Sequence, residues 1–501
     1  MGDAMIRRLV ILVLAAFATV VSAAEAVEGA AGDEALEGLP HDEWQAVFMK
    51  GKRIGYVHTK MQREGDFVVS DVSMKMTMRR LGSETTVRMG SKYRERLDGT
   101  PDAFVTEMRT GAMKVRTEGT TQDGKLHLVT MVGNMRQERT VEWDPSAKFP
   151  YALDRELRSL KLEPGEELTA QVFSPEISTS EPVEMTMKVI GPDEVDVLGV
   201  KHEAVKVETR ISKMPSLVQH SWLDAQGNVL ATEVAQLGGV RAVRCTKAYA
   251  LAEAEAVDLS DLMLITPDVP LEDVGKLTRL VVKLSTVDGT PFSVELPSEG
   301  HQRVVARDET SVTLEISDAL IKTEEKDLGP FLSASTMVNG DDEQIIAAAE
   351  EAVGDETDPW RKAQALRRAV YELVKEKSFD VAMASATEVI RNKEGDCTEH
   401  AVLLAAMARA AGIPSRAAIG LMYVHGWFGY HMWTQVYVDG AWRDVDAVLD
   451  GRDFDPAHIR LATSPMSDDD FMFDLAAFVS VFGNLKIEIV EMDYGKPDRT
   501  D

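Results

Sequence analysis

Along the chain, apolar positions first alternate between turn signals and only later recur at helical spacing. Ala46-Val47-Phe48-Met49 runs into Lys50-Gly51-Lys52, and Ile54-Gly55-Tyr56-Val57 leads out of it. Further turn signals follow at Glu64-Gly65-Asp66, Leu81-Gly82-Ser83, Leu97-Asp98-Gly99 and Gln122-Asp123-Gly124, with Thr, Val and Met between them. Alternating runs punctuated in this way predict an antiparallel meander. A second set runs through Met185-Thr186-Met187-Lys188-Val189 and Ala204-Val205-Lys206-Val207, past the turn Asp224-Ala225-Gln226-Gly227-Asn228, to Ala248. Residues 41–250 are therefore expected to form a large antiparallel β-rich domain, in one piece or as two halves meeting near Pro150. Residues 251–335 hold short strands such as Leu280-Val281-Val282-Lys283-Leu284 and Ser311-Val312-Thr313-Leu314-Glu315-Ile316, a small β module. From 341 the period becomes helical: one helix over 341–353 stops at Gly354, and Asp358-Pro359 opens a second. That second helix has proline at its first position and Ala363, Leu366, Val370 and Leu373 on one face. Residues 336–501 read as a separate α+β unit, so the fold class is α+β.

The first residues change the picture of where this chain works. Arg7 and Arg8 precede an apolar run over 9–21, and Ser22-Ala23-Ala24 supplies small residues for cleavage. Residues 1–24 therefore read as a signal peptide whose apolar run is short for a membrane span. Residues 25–40, small and acidic, read as a linker. An exported, periplasmic or secreted protein follows, with no membrane contact expected beyond the signal peptide. The 501 residues suggest about three domains. With 44% hydrophobic and 28% charged residues, sizeable cores are possible. A net charge of −28 argues against nucleic-acid binding, which needs a positive footprint.

Only two cysteines are present, and their settings differ. In Gly395-Asp396-Cys397-Thr398-Glu399-His400-Ala401, Asp396 is a good N-cap and Glu399 completes a capping box. Cys397 then occupies the first helical position, where unpaired N–H groups and the positive end of the helix macrodipole favour a thiolate. The helix is apolar nearly all round, hence buried, and stops at Gly412, with Ile413 and Pro414 after it. Cys245 reads as a lone strand-borne thiol packed as a small hydrophobe.

Partners for Cys397 follow on a hairpin. Tyr430-His431-Met432-Trp433-Thr434-Gln435-Val436-Tyr437-Val438 alternates, Asp439-Gly440 marks a two-residue turn, and Ala441-Trp442-Arg443-Asp444-Val445-Asp446 returns. With Val438 opposite Ala441, His431 and Asp446 become diagonal neighbours on one face, about 7–8 Å apart between backbones. Asp444 shares that face but lies two residues nearer the turn, so the register selects Asp446; a three-residue loop would undo the choice. Thiol, imidazole and carboxylate complement one another as nucleophile, base and orienter, and the Cys397 N–H is an oxyanion donor.

These residues resemble the transglutaminase-like superfamily, exported bacterial type, whose core is a papain-like thiol fold. The matching pieces are Gly395-Asp396-Cys397, Gly412-Ile413-Pro414-Ser415-Arg416, Tyr430-His431-Met432-Trp433, Trp442 leading into Asp446, and Phe454-Asp455-Pro456-Ala457-His458-Ile459. The resemblance covers residues 335–465. It implies a buried nucleophile helix packed on an antiparallel sheet, with Cys397 as nucleophile, His431 as base and Asp446 as its orienter. It further implies a protein or peptide substrate and no cofactor. Many members follow the aspartate with Pro-Thr or Ala-Thr, whereas here Ala447-Val448 follows.

The chemistry is shared until the acyl-enzyme forms: water then gives a peptidase or amidase, and a lysine amine gives cross-linking. Hydrolysis is the expected outcome, with cross-linking, or a degenerate scaffold that uses the β-rich region, as alternatives. A zinc site of Cys397, His400, His425 and His431 is a competing reading, although its last spacing exceeds the usual range and leaves Asp446 idle. His400 is expected to pack beside the site, His425 to cap a turn or line a groove, and His458 to make a structural contact. Met74, Met76 and Met78 share a strand face, as copper ligands or, more plainly, as core. The acidic runs Asp341-Asp342-Glu343 and Ser467-Asp468-Asp469-Asp470 lack calcium-loop spacing and sit where helix N-termini want charge.

Overall fold

Tight turns fix the strand order of the first half of the chain. The computed structural model describes residues 39–80, 83–110, 113–132, 135–214, 217–237, 239–253, 256–258, 263–292, 294–375, 384–467 and 481–495. The expected signal peptide, nearly all of the linker and the acidic positions 468–470 lie outside them. The described chain is mostly antiparallel sheet with few helices. Its described residues fall into two compact units, 39–258 and 263–495.

In the first unit, Lys50 and Gly51 take positive φ (49° and 72°) and close a two-residue hairpin between His41–Met49 and Lys52–Glu64. The meander continues strand by strand to Met135–Glu142. A second meander runs from Glu167–Val172 to Val240–Cys245, and this last strand pairs with the first, Trp44 opposite Cys245. Both meanders therefore share one 15-stranded sheet. Met74, Met76 and Met78 all lie buried on one face of Phe67–Arg80, packed as core. Cys245 is a free thiol but only half-buried, less enclosed than expected.

The strand pattern does not anticipate the helix Pro150–Ser159, which separates the meanders. Its N-cap, Phe149, has no side chain able to cap. The cap comes instead from the buried Glu95, which accepts from the backbone N–H of Tyr151 and Ala152 at 2.8 Å each.

The second unit holds two sheets and a group of helices. One sheet runs Gly300–Arg307, Ser311–Ile321, Leu277–Thr286 and Leu485–Tyr494. The other, five-stranded, is centred on Ser415–Val424 and Trp427–Val438, flanked by His458–Ser464, Leu264–Ile265 and Ala441–Val445. The helices read from the sequence appear as Glu343–Val353, capped by Asp342, and Pro359–Leu373, capped by Asp358. A shorter one, Ala386–Asn392, has its own capping box of Ser385 and Glu388. The helix Cys397–Ala410 is buried through Arg409. It packs on the central strand, where Thr434 Oγ1 donates to the Ala401 carbonyl at 3.0 Å. No helix among the described residues is long and apolar enough to cross a membrane.

Candidate active site

The position of the Cys397 thiol follows from backbone chemistry at its helix start. Asp396 accepts from the Thr398 N–H at 2.9 Å, and Glu399 accepts from the Asp396 N–H at 2.9 Å, completing the capping box. Glu399 can fold back only because residue 395 is glycine, at φ 156°: a Cβ there would sit 2.3 Å from the Glu399 Cβ. Burial, reinforced by neighbouring Asp396, pushes the Glu399 carboxyl well above the ordinary range. Cys397 is free, buried and at the first helical position.

The imidazole and carboxylate come from the expected hairpin. Asp439 and Gly440 take positive φ (56° and 76°), and Val438 pairs with Ala441, so the loop has two residues. Pairing continues to Thr434 opposite Val445; beyond it Asp446 leaves the ladder and its N–H donates to the Asp453 carbonyl at 2.8 Å. His431 Nε2 lies 2.8 Å from Asp446 Oδ2, and Val448 N–H donates to Asp446 Oδ1 at 2.8 Å. This last bond uses backbone, so the side chain that follows the aspartate is not needed to hold it.

Burial alone would lower the pKa of His431. The Asp446 carboxylate and, after it, the Cys397 sulfur outweigh burial and push it up to about 9. Asp446 meets the reverse balance: burial would raise it, but His431 and then His458 hold it far below the usual carboxylate range. Among the described residues His431 Nδ1 has no hydrogen-bond partner. The imidazole thus has one nitrogen committed to Asp446 and one open on the ring that the Cys397 sulfur influences.

Asp444, the acid set aside on register, has a different task. It accepts from Trp433 Nε1 at 2.6 Å and Gln435 Nε2 at 2.8 Å, and lies 2.8 Å from His301 Nδ1. Trp433 in turn stacks on His431, with ring centroids 5.9 Å apart and planes 17° from parallel.

The other candidates disperse. His400 Nδ1 lies 2.7 Å from the Asp396 carbonyl, bracing the helix start. His425 is exposed in the turn at positive φ (50°). Asp342 of the first acidic run accepts from the Gln344 N–H at 2.8 Å as a helix cap. Among the described residues, the donor atoms of Cys397, His400, His425 and His431 form no ligand cluster. Those of His431, Asp446 and His458 do lie within 4.8 Å of one another. Both Nε2 atoms there point at the same Asp446 oxygen at hydrogen-bond distance, 2.8 and 3.2 Å, so protons join the three groups. His458 is the site residue whose placement sequence reasoning missed. Its signal, Asp455-Pro456-Ala457-His458, was visible, but the loop from Asp446 gives no clue to where it returns.

The site thus holds a helix-borne thiol and a strand-borne imidazole backed by a carboxylate, the group types that thiol acyl transfer uses. Residues 346–447, which carry all three groups, match the transglutaminase-like superfamily model, so the chain contains a transglutaminase-like core. No curated protein matches the chain. Among solved structures it is similar to a candidate cysteine protease from Cytophaga hutchinsonii, 17% identical over 45% of this chain and 90% of that one, TM-score 0.27. It is also similar to a β-barrel-like protein of a domain of unknown function from Brucella abortus, 12% identical over 41% and 96%, TM-score 0.30. A candidate protease from Parabacteroides distasonis is 12% identical over 74% and 65%, TM-score 0.18.

Proposed function

We propose that this chain is an exported thiol enzyme that cleaves amide or peptide bonds of a protein or peptide substrate through an acyl-enzyme on Cys397. The observation that carries the reading is the His431–Asp446 bond of 2.8 Å, which commits Nε2 and leaves Nδ1 for the thiol proton. His431 takes the thiol proton first, and the Cys397 thiolate left beside the imidazolium attacks the carbonyl carbon. The oxyanion forms near the Cys397 N–H, one of the amides that a helix start leaves unpaired. Collapse expels the amine, which takes the proton back from His431, and water attacks the thioester by the same route in reverse. Asp446 fixes the tautomer and stabilises the imidazolium. The arrangement is that of a papain-like core, and water is the acceptor we assign.

Incubating the full chain with casein, with and without cadaverine, tests both halves of the reading. New fragments that disappear in Cys397→Ala are expected. Cadaverine joined to casein without fragments would make the enzyme a cross-linker, and fragmentation that persists in Cys397→Ala would end the proposal.

A further inference from the structure

His458 lies outside the segment that matches the family, yet it shares the carboxylate oxygen of the site. Its Nε2 is 3.2 Å from Asp446 Oδ2, and its Nδ1 is 3.0 Å from both the Asp455 carbonyl and Asp455 Oδ1. Arg452 closes the series on Asp455 Oδ2 at 3.0 Å. Cys397, His431, Asp446, His458, Asp455 and Arg452 thus alternate acid and base from the buried sulfur to a guanidinium that is 38% exposed.

Hydrogen-bond accounting sets the state of His458. Carboxylate and carbonyl oxygens only accept, so each of its nitrogens must carry a hydrogen, and the ring is an imidazolium. His431 differs, because only one of its nitrogens faces an acceptor. The direction of the pKa agrees: burial would lower that of His458, but Asp455 and Asp446 push it up to about 10. The remaining neighbours do not alter this assignment. Trp433 and Phe454 face the His458 ring at 5.2 and 5.4 Å between centroids. The nearby charged group Asp444 is engaged by Trp433, Gln435 and His301, with Arg460 at 3.5 Å.

We infer that His458 is a positioning residue of the site: a standing imidazolium that anchors Asp446 Oδ2 and neutralises its charge, so that His431 works against a balanced carboxylate. This rests on the proposed role of His431 as the proton acceptor for Cys397. A bare Asp446 carboxylate would hold the His431 proton too tightly to return it to a leaving amine. With His458 charged, the pair Asp446–His458 is neutral as seen from His431, whose ring lies 5.7 Å from that of His458.

The test is the pH dependence of the acylation burst with p-nitrophenyl acetate, on the full chain. Wild type, His458→Gln and Cys397→Ala are compared. Glutamine keeps an N–H for Asp446 but carries no charge. Removing a unit charge at 5.7 Å should raise the upper pH limb by about 0.5 to 2 units. A folded His458→Gln whose upper limb coincides with that of wild type overturns the inference and leaves the parent reading standing. A burst that survives in Cys397→Ala overturns the parent reading instead. Long-range proton–nitrogen spectra of histidine-labelled wild type supply a readout independent of activity and of the variant's folding. The ring displaced by Asp455→Asn should be protonated at both nitrogens from pH 6 to 9; a single tautomer there would overturn the inference.

Discussion

Two sets of buried ionisable groups, one in each unit, lose the same water with opposite outcomes. In the sheet unit, burial first, with Arg158 and Arg244 adding to it, pushes His41 down to about 4, and neither ring nitrogen has a partner among the described residues. Burial likewise pushes Glu95 up to about 8, against the two backbone amides that it accepts. Both are neutral near pH 7. In the site unit, His431, His458 and Asp446 are as deeply buried and stay charged, because each meets an opposite charge at hydrogen-bond distance, and buried Asp444 has the Arg460 guanidinium at 3.5 Å. Burial by itself neutralises, and a buried charge persists only where a partner has been built for it. The concentration of such pairs around Cys397 is the physical mark of the site.

The largest test of that contrast sets the two cysteines against each other. Cys397→Ala should lose all labelling by a thiol-directed acylating probe at neutral pH, while Cys245→Ala, on the half-buried strand, should label at the wild-type rate. Asp446→Asn should slow acylation by about 10³- to 10⁴-fold, through loss of tautomer control and charge stabilisation; an effect below tenfold would remove Asp446 from the mechanism.

Stability separates the units next. His458→Leu removes a buried cation from between two carboxylates and should cost its unit about 3–5 kcal/mol in urea unfolding. His41→Leu replaces an unpartnered imidazole with an apolar side chain and should lie within about 1 kcal/mol of wild type, on either side. Equal costs would erase the distinction.

The smallest effects are in the pH dependence. His431 and His458 have folded pKa values above the unfolded 6.5, so their stabilisation is complete below about 6.5 and is lost as pH rises through about 9 to 10. His41 has the opposite sign: its contribution is complete above about 6.5 and is lost as pH falls through about 4. Glu95, raised from 4.5 to about 8, costs its unit stability as pH rises through that window. Glu95→Gln should therefore differ from wild type by about 1 kcal/mol at pH 5 and gain on it towards pH 8, followed by thermal unfolding. A constant difference across that range would contradict the neutral buried carboxyl.

What could be read from the sequence depended on how local the cause was. The capping box at Asp396 and Glu399 and the Asp439-Gly440 turn act within a few residues, so the helix start at Cys397 and the pairing of Val438 with Ala441 were legible, while the departure of Asp446 from the ladder was not. The helix Pro150–Ser159 escaped because its cap, Glu95, comes from a distant strand. The pairing of Leu485–Tyr494 with Leu277–Thr286 escaped for the same reason: nothing near either strand names its partner. His458 shows the limit inside the site. A histidine after Asp455-Pro456-Ala457 carries no sign that it returns to Asp446, and its ordinary spacing hides its most consequential contact.

Acyl mapping tests the central claim most directly. The full chain is mixed briefly with p-nitrophenyl acetate at pH 7, then intact mass and peptide masses locate the adduct. A single acetyl group on Cys397 is expected in wild type, with almost none in His431→Ala at the same time point. An acetyl group on Cys245, or equal acylation of Cys397 with and without His431, would contradict it.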